Sequence, residues 1–182
     1  MRAFIAIDLP EEIRAALSRN QAELRNACRD AGWTRPEGIH LTLKFLGEIS
    51  DEQVREMTEA LHACTPFEAF SVEVNGFGFF PDARRPKVFW AGVQAPPDLA
   101  NLAERVESAM EKLGIARERR AYSPHLTLAR FRFPKPQPEL KALAEARADT
   151  TLGHFEVSEF FLFESRLHPQ GAQYLKVARF PK

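Results

Sequence analysis

Two short tetrapeptides carry the residue types best suited to acid-base chemistry in this chain. His40–Leu43 reads His-Leu-Thr-Leu, and the same four letters return 85 residues later as His125–Leu128. Each lies in a short apolar run bounded by Gly or Pro, a pattern that predicts a β-strand. Side chains at positions i and i+2 share one face of a strand. We therefore expect each tetrapeptide to present its imidazole and its hydroxyl together.

Two imidazoles that face one cleft could carry out acid-base catalysis at a phosphate ester. An unperturbed histidine has a pKa of about 6.5, so one ring can be neutral and accept a proton while the other is charged and donates one. One ring would activate water, and the other would protonate the departing sugar oxygen. The hydroxyls of Thr42 and Thr127 would hold non-bridging phosphate oxygens. The scheme needs no metal or other cofactor, and its symmetry leaves open which of His40 and His125 is the acid.

The repeat extends along most of the chain. When the sequence is compared with itself at an offset of 85 residues, further positions coincide without a gap, and the two halves follow one plan of strand, helix, motif strand, helix and strand. This offset is far longer than the period of a solenoid repeat. The plan predicts two related lobes, each offering one motif to a shared central cleft. The coincident pairs include Phe4 with Phe89, Ala6 with Ala91, Leu17 with Leu102, Phe70 with Phe155, and Val72 with Val157.

The length of 182 residues is close to that of one domain. We therefore predict a single two-lobed domain over residues 1–182, with related halves at about 1–80 and 86–165 and a final strand at 173–180. A less specific interpretation also stays open, in which an ancient duplication preserved two histidines that are purely structural.

Composition limits the classes of partner. Apolar residues make up 45% of the chain, a value typical of a soluble globular protein. Lys plus Arg and Asp plus Glu both total 25, so the net charge is zero and extended binding to a polyanion is disfavoured. The start of the chain, Met1–Asp8, is too short an apolar run for a signal peptide, and no segment is long enough to span a membrane. We expect a cytoplasmic monomer with no membrane partner.

Local signals place the other elements. Pro10 followed by two glutamates predicts a helix that continues to about Ala31. Ser50 with Gln53 forms a capping-box pattern, which predicts a second helix that ends near Ala63. Near the end of the chain, residues 155–163 and 173–180 are expected to form a pair of strands.

A zinc site is the competing chemistry for the two histidines. His-x-Thr is not a common ligand spacing, and a third ligand would have to come from His62, His154, His168 or a carboxylate. None of these candidates has a partner in the repeat. We therefore predict no metal site.

The motifs and their flanks also carry a family resemblance. The sequence resembles the two-histidine phosphoesterase superfamily and, within it, the bacterial and archaeal RNA 2',3'-cyclic phosphodiesterases, also called 2'-5' RNA ligases. The similarity covers essentially the whole chain. The residues that carry it are the two tetrapeptides, Lys44–Glu48 after the first, Tyr122–Pro124 and Ala129–Arg130 around the second, and Glu164–Ser165 near the end.

The resemblance implies a bilobal α+β fold in which antiparallel sheets line the cleft and helices pack outside. It implies metal-independent hydrolysis of a 2',3'-cyclic phosphate, on an RNA end or a nucleotide, to the 2'-phosphate. Carried over to this sequence, His40 is the proton donor to the 3' oxygen and His125 is the proton acceptor. Thr42 and Thr127 bind the phosphate, and Arg130 is a further contact.

Two other functions remain open for the same cleft. The enzyme could run the reverse reaction and join a 2',3'-cyclic phosphate end to a 5'-hydroxyl end. Alternatively, the chain could bind nucleotides or RNA ends without catalysis.

Overall fold

The computed structural model describes all residues from 1 to 182 as two antiparallel sheets with four helices. Two short 3-10 turns lie at Arg25–Ala27 and Pro36–Gly38. The strands are β1 (Arg2–Ile7), β2 (Gly32–Trp33), β3 (Leu41–Glu48), β4 (Phe70–Phe80), β5 (Val88–Gln94), β6 (His125–Arg130), β7 (Thr151–Val157), β8 (Phe160–Arg166) and β9 (Gln173–Phe180), and the helices are α1 (Glu11–Leu24), α2 (Asp51–His62), α3 (Pro97–Glu111) and α4 (Pro138–Ala146).

The strands divide into a first sheet with the order β3-β1-β8-β9 and a second sheet with the order β2-β6-β5-β4-β7. Every paired strand runs antiparallel to its neighbour. The predicted α+β class with antiparallel sheets is therefore confirmed. None of the helices combines the length and the apolar character needed to cross a bilayer.

The two sequence halves exchange strands and helices between the sheets. In the 85-residue register β5 corresponds to β1, yet β5 pairs with β4 of the first half, while β1 pairs with β8 of the second half. The helices are exchanged in the same way, because α1 packs against β7 of the second sheet and α3 packs against β3 of the first sheet. Each lobe is thus built from both halves, and one continuous core of 36 buried residues extends through both sheets.

Two predicted element boundaries differ from the structure. Helix α1 ends at Leu24 instead of near Ala31, because the backbone tightens into a 3-10 turn at Arg25–Ala27 and leaves helical geometry at Cys28, before β2 pairs with β6. The strand expected over residues 155–163 is divided into β7 and β8, which pair with β4 and β1 in different sheets. The capping box of α2 is present as predicted, with Ser50 and Gln53 bonded to each other's backbone N–H.

The segment that precedes the first motif is bonded to the strand of the second. The amide N–H of Thr34 donates to the Leu128 carbonyl at 2.9 Å. The side chain of Gln21, which is almost fully buried in α1, donates to the carbonyls of Thr34 and Leu128 at 2.7 and 3.1 Å. The approach to His40 is therefore attached directly to β6.

The reciprocal arrangement holds the approach to the second motif on β3. The Tyr122 hydroxyl donates to the Thr42 carbonyl at 2.9 Å. The buried Lys44 ammonium donates to the Ala116 carbonyl at 3.0 Å and forms an ion pair with Glu107 at 2.7 Å. Since a buried ammonium needs such partners to offset its lost hydration, Lys44 ties α3 and the loop before His125 to the first motif strand.

We predict that Lys44→Met lowers the free energy of unfolding by about 3 kcal/mol, because it leaves the Glu107 carboxylate in the interior without its cation. Urea denaturation measures the change. The double variant Lys44→Met/Glu107→Leu removes both charges and should lose less than about half as much. Equal losses in the two variants would contradict this account of the pair.

Candidate active site

The structure places both tetrapeptides at the start of a strand. His40 lies immediately before β3, and His125 is the first residue of β6. The expected alternation is present, because all four leucines are buried while Thr42 and Thr127 are half-buried. The imidazole of His40 is itself largely buried, and that of His125 is more accessible.

The same backbone contact orients both imidazoles. Nδ1 of His40 lies 3.1 Å from the carbonyl oxygen of Gly38, and Nδ1 of His125 lies 2.8 Å from the carbonyl oxygen of Ser123, in each case two residues earlier. A carbonyl oxygen can only accept, so Nδ1 must carry the hydrogen in both rings. This leaves Nε2 of each ring as the nitrogen available to exchange a proton with a ligand.

Aromatic side chains from related strands support the two rings. The His40 ring centroid lies 4.5 Å from that of Phe163 on β8 and 5.3 Å from that of Tyr174 on β9. The His125 ring centroid lies 4.8 Å from that of Phe80, at the end of β4. At the 85-residue offset β8 corresponds to β4. The two imidazoles therefore lie against aromatic rings from equivalent strands of the two sequence halves.

The predicted site residues line two adjoining cavities. The first, of about 660 Å³, is lined by His40, Thr42, Thr127 and Arg130 and is called the His40 cavity. The second, of about 570 Å³, is lined by His125 and again by Thr42 and is called the His125 cavity. His40 and His125 line different cavities, and the two cavities adjoin at Thr42. Arg130 lies close enough to the His125 ring for its charge to lower that ring's pKa.

Burial lowers the pKa of both histidines. For His40 the pKa falls to about 4, mainly through burial and then through the positive charge of Arg14, while the carboxylate of Asp8 acts in the opposite direction. For His125 burial again lowers the pKa, the contact with Ser123 opposes this, and Arg130 adds to it. Both rings are therefore neutral at pH 7 when the cleft is empty.

A charged cluster beside His40 had no counterpart in the sequence-based prediction. Asp8 accepts from Arg14 at 2.5 Å and from Lys176 at 2.8 Å. Burial opposes the ionisation of Asp8, but these two cations outweigh it and hold the pKa of the carboxyl below its ordinary value. Arg14 also donates to the carbonyl of Pro36, in the turn that supplies the Gly38 carbonyl to His40. No motif marks these residues, because they lie on three separate elements.

Two of the three remaining histidines and both cysteines lie in other environments. His62 packs on the ring of Phe180, and His154 lies on β7, 3.9 Å from Glu73. Both cysteines are buried and unpaired. No three His, Cys, Asp or Glu side chains are grouped so that they could hold a metal ion.

Comparison with known proteins identifies the family. The family model described as LigT-like phosphoesterase matches this chain at residues 7–90 and again at residues 92–174. The two matches start 85 residues apart, which is also the spacing of the two tetrapeptides. The chain belongs to the LigT-like phosphoesterase family. The resemblance inferred from the paired motifs is thereby confirmed.

Individual relatives agree with this assignment. The RNA 2',3'-cyclic phosphodiesterase of Methanothermobacter thermautotrophicus is 33% identical over 96% of this chain and 95% of its own length. The crystal structure of TT0787 from Thermus thermophilus superposes with a TM-score of 0.82 at 32% identity, covering 99% of this chain and 97% of that one. That of E. coli LigT complexed with 3'-AMP gives 0.78 at 27% identity, covering 98% and 96%. The prediction that this family member is an enzyme is confirmed.

We predict that His40 titrates near pH 4 in the free protein and that its pKa rises when inorganic phosphate binds, because an anion favours the imidazolium. NMR of the ring Cε1–H signals measures both values. Since an unfolded histidine titrates at about pH 6.5, the unfolded chain binds more protons between these pH values. His40 should therefore lower the stability of the fold as the pH falls from about 6.5 towards 4. A free-protein pKa near 6.5 would contradict the burial of this ring.

Proposed function

We propose that this chain hydrolyses a 2',3'-cyclic phosphodiester, on an RNA end or a nucleotide, to the 2'-phosphomonoester. His40 is the proton donor and His125 is the proton acceptor. The observation that carries the proposal is the paired arrangement of two imidazoles, each with Nδ1 on a carbonyl oxygen and Nε2 available, in cavities that meet at Thr42. Membership of a phosphoesterase family supports the same reaction class.

The reaction is an in-line displacement at phosphorus. Nε2 of His125 accepts a proton from water as the water oxygen forms a bond to phosphorus. The bond from phosphorus to O3' breaks, and O3' takes a proton from Nε2 of His40. His125 leaves the cycle protonated and His40 leaves it neutral, and exchange with solvent restores both. The step is driven by acid-base chemistry and charge stabilisation supplied by these side chains.

The division of roles between the two rings follows the family resemblance, and bound substrate must supply the charge that it requires. The donor must be protonated when substrate is bound, and the anionic cyclic phosphate raises the pKa of a neighbouring imidazole. The carboxylate of Asp8 acts on His40 in the same direction, although burial and the charge of Arg14 outweigh it in the empty cleft and lower the pKa to about 4. His125 has Arg130 among the charges that act on it, and a guanidinium favours the neutral ring that a proton acceptor requires.

Three side chains at the junction suit the phosphate oxygens. Thr42 and Thr127 both line the His40 cavity, and their hydroxyls can donate to non-bridging oxygens. Arg130 lines the same cavity, and a guanidinium can donate two parallel hydrogen bonds to one phosphate. These donors stabilise the negative charge that builds on the phosphoryl group in the transition state.

The substrate class follows from the charge of the chain and from its relatives. A net charge of zero favours recognition of a strand end or a nucleotide over a long duplex. The name of the Methanothermobacter relative and the 3'-AMP complex of E. coli LigT support an RNA or nucleotide ligand.

We predict that His40→Ala and His125→Ala each lower turnover of a 2',3'-cyclic nucleotide by about 100-fold or more, the usual scale for a general acid or base. Steady-state kinetics with purified variants measure the effect. His154→Ala is the matched control, because this histidine is exposed on β7 and lines neither cavity. Near-normal hydrolysis by the His125 variant would refute the role given to that residue.

We also predict full activity after treatment with EDTA, with the 2'-phosphate as the product seen by phosphorus NMR. The proposed residues supply the proton transfers and the phosphate contacts themselves. Binding of the cyclic nucleotide without turnover would instead favour a non-catalytic RNA-end binding protein. Loss of activity in EDTA and its recovery with zinc would show that the reaction depends on a metal.

A further inference from the structure

The charged cluster beside His40 is attached to the turn that orients the His40 ring. The 3-10 turn Pro36–Gly38 comes shortly before His40, and its last carbonyl oxygen lies 3.1 Å from Nδ1 of the ring. The guanidinium of Arg14 donates through Nη1 to the first carbonyl of this turn and through Nη2 to the Asp8 carboxylate at 2.5 Å. One side chain therefore joins helix α1 and the end of β1 to the turn that supplies the ring's hydrogen-bond acceptor.

The guanidinium of Arg14 has little freedom to move. Only 12% of its side chain is exposed, and the carboxylate of Asp8 is also held by Lys176 of β9 at 2.8 Å. A guanidinium presents its donors in a rigid planar fork, so two acceptors that bind at once fix its position. Breaking either contact would leave a poorly hydrated charged group short of a partner. The cluster is therefore a fixed point to which the turn is bonded.

A second contact limits the same turn. A Cβ atom placed on Gly38 would lie 2.8 Å from the ring of Tyr174, which leaves no room for a side chain at this position. The centroid of the Tyr174 ring also lies 5.3 Å from that of the His40 ring. The turn is thus bonded to Arg14 and packed against the ring that supports His40. A shift of the turn would move the Gly38 carbonyl away from Nδ1.

The other half of the repeat has no equivalent of this cluster. At the 85-residue offset Asp8 corresponds to Val93, and Arg14 corresponds to Leu99, which is buried. The second half therefore connects its strand to its helix with apolar residues at these two positions. Because the related connection needs no ion pair, the cluster is an addition specific to the half that carries His40.

We propose that Arg14 is a positioning residue for the proton donor, holding the Pro36–Gly38 turn so that the turn's last carbonyl fixes Nδ1 of His40 and directs Nε2 to the phosphate. This inference rests on the proposed function, in which Nε2 of His40 protonates O3'. Arg14 lines neither cavity, so it acts through the turn and not on the substrate. The carbonyl accepts from Nδ1 before and after the transfer, because the imidazolium and this neutral tautomer both carry that hydrogen. The ring therefore keeps one orientation through the cycle.

The test compares two substitutions of Arg14 with a matched control on the same helix. Arg14→Met removes both contacts, whereas Arg14→Lys keeps the positive charge but lacks the planar fork. The control is Arg147→Met. Arg147 also holds α1 through two contacts, with Asn20 at 2.9 Å and Glu23 at 2.5 Å, and it lines neither cavity.

Three measurements separate positioning from a loss of stability. Steady-state kinetics with 2',3'-cyclic AMP give kcat and KM, and urea denaturation gives the free energy of unfolding. Nitrogen NMR of the ring nitrogens shows which tautomer His40 adopts. The ring of His125 serves as an internal reference in the same spectrum, because its own carbonyl contact does not involve the cluster.

We expect Arg14→Met to lower kcat by about tenfold and to change KM by less than about twofold, because a displaced acid costs rate more than binding. Its His40 ring should show a mixture of both neutral tautomers, while His125 keeps its hydrogen on Nδ1. Arg14→Lys should lose only about threefold in kcat. Arg147→Met should lower stability and leave kcat unchanged. Adding Arg14→Met to His40→Ala should cost no further turnover, because the effect passes through His40.

Four results would overturn this inference. In a wild-type chain that hydrolyses the substrate, an unchanged kcat or an unchanged His40 tautomer in Arg14→Met would reject it and leave the proposed function intact. An equal loss of kcat in Arg147→Met would assign the effect to the stability of α1. A further loss of about tenfold in the His40→Ala background would show that Arg14 acts elsewhere. If Arg14→Met does not fold, the same outcomes apply to Arg14→Lys. A wild-type chain that hydrolyses nothing would defeat the proposed function and, with it, this role.

Discussion

The cleft depends on hydrogen bonds that join each motif strand to the segment preceding the other motif. The segment before His40 is bonded to β6 through Thr34, and the segment before His125 is bonded to β3 through Tyr122 and Lys44. Hydrogen bonds in a buried setting are costly to break without a replacement partner. Each imidazole is therefore held in place by the strand that carries the other motif. Separating the two motifs would break these hydrogen bonds and leave their donors and acceptors without partners.

The two motifs share a backbone arrangement but differ in their surroundings, and this difference allows different roles. Both rings place Nδ1 on a carbonyl oxygen two residues earlier and lie against an aromatic ring of an equivalent strand. His40 is more deeply buried and is influenced by both signs of charge, including the carboxylate of Asp8. His125 opens onto a cavity lined by an arginine-rich loop. The duplication supplies equivalent positions, and later differences in neighbouring side chains distinguish them.

The local distribution of charge, more than the net charge, determines which anions this chain can bind. The chain is neutral overall, and some of its arginines are paired with acids, as Arg117 and Arg14 are. Four arginines that line the two cavities make no ion pair within the chain, namely Arg2, Arg119, Arg120 and Arg130. A neutral chain is not drawn along a long polyanion, yet it can still bind a few phosphates where unpaired cations are concentrated. This distribution suits a protein that recognises strand ends.

The sequence by itself determined the duplication, the two motif strands with alternating faces, the capping box at Ser50 and the family. These features depend on neighbouring residues or on repetition, so they can be read along the chain. Only the tertiary structure decided that the halves exchange β4 and β8, that Asp8 and Lys176 meet beside His40, and how far burial lowers its pKa. Those properties arise between segments that are distant in sequence. Strand periodicity shows which face of a strand is buried, but it does not show which sheet the strand joins.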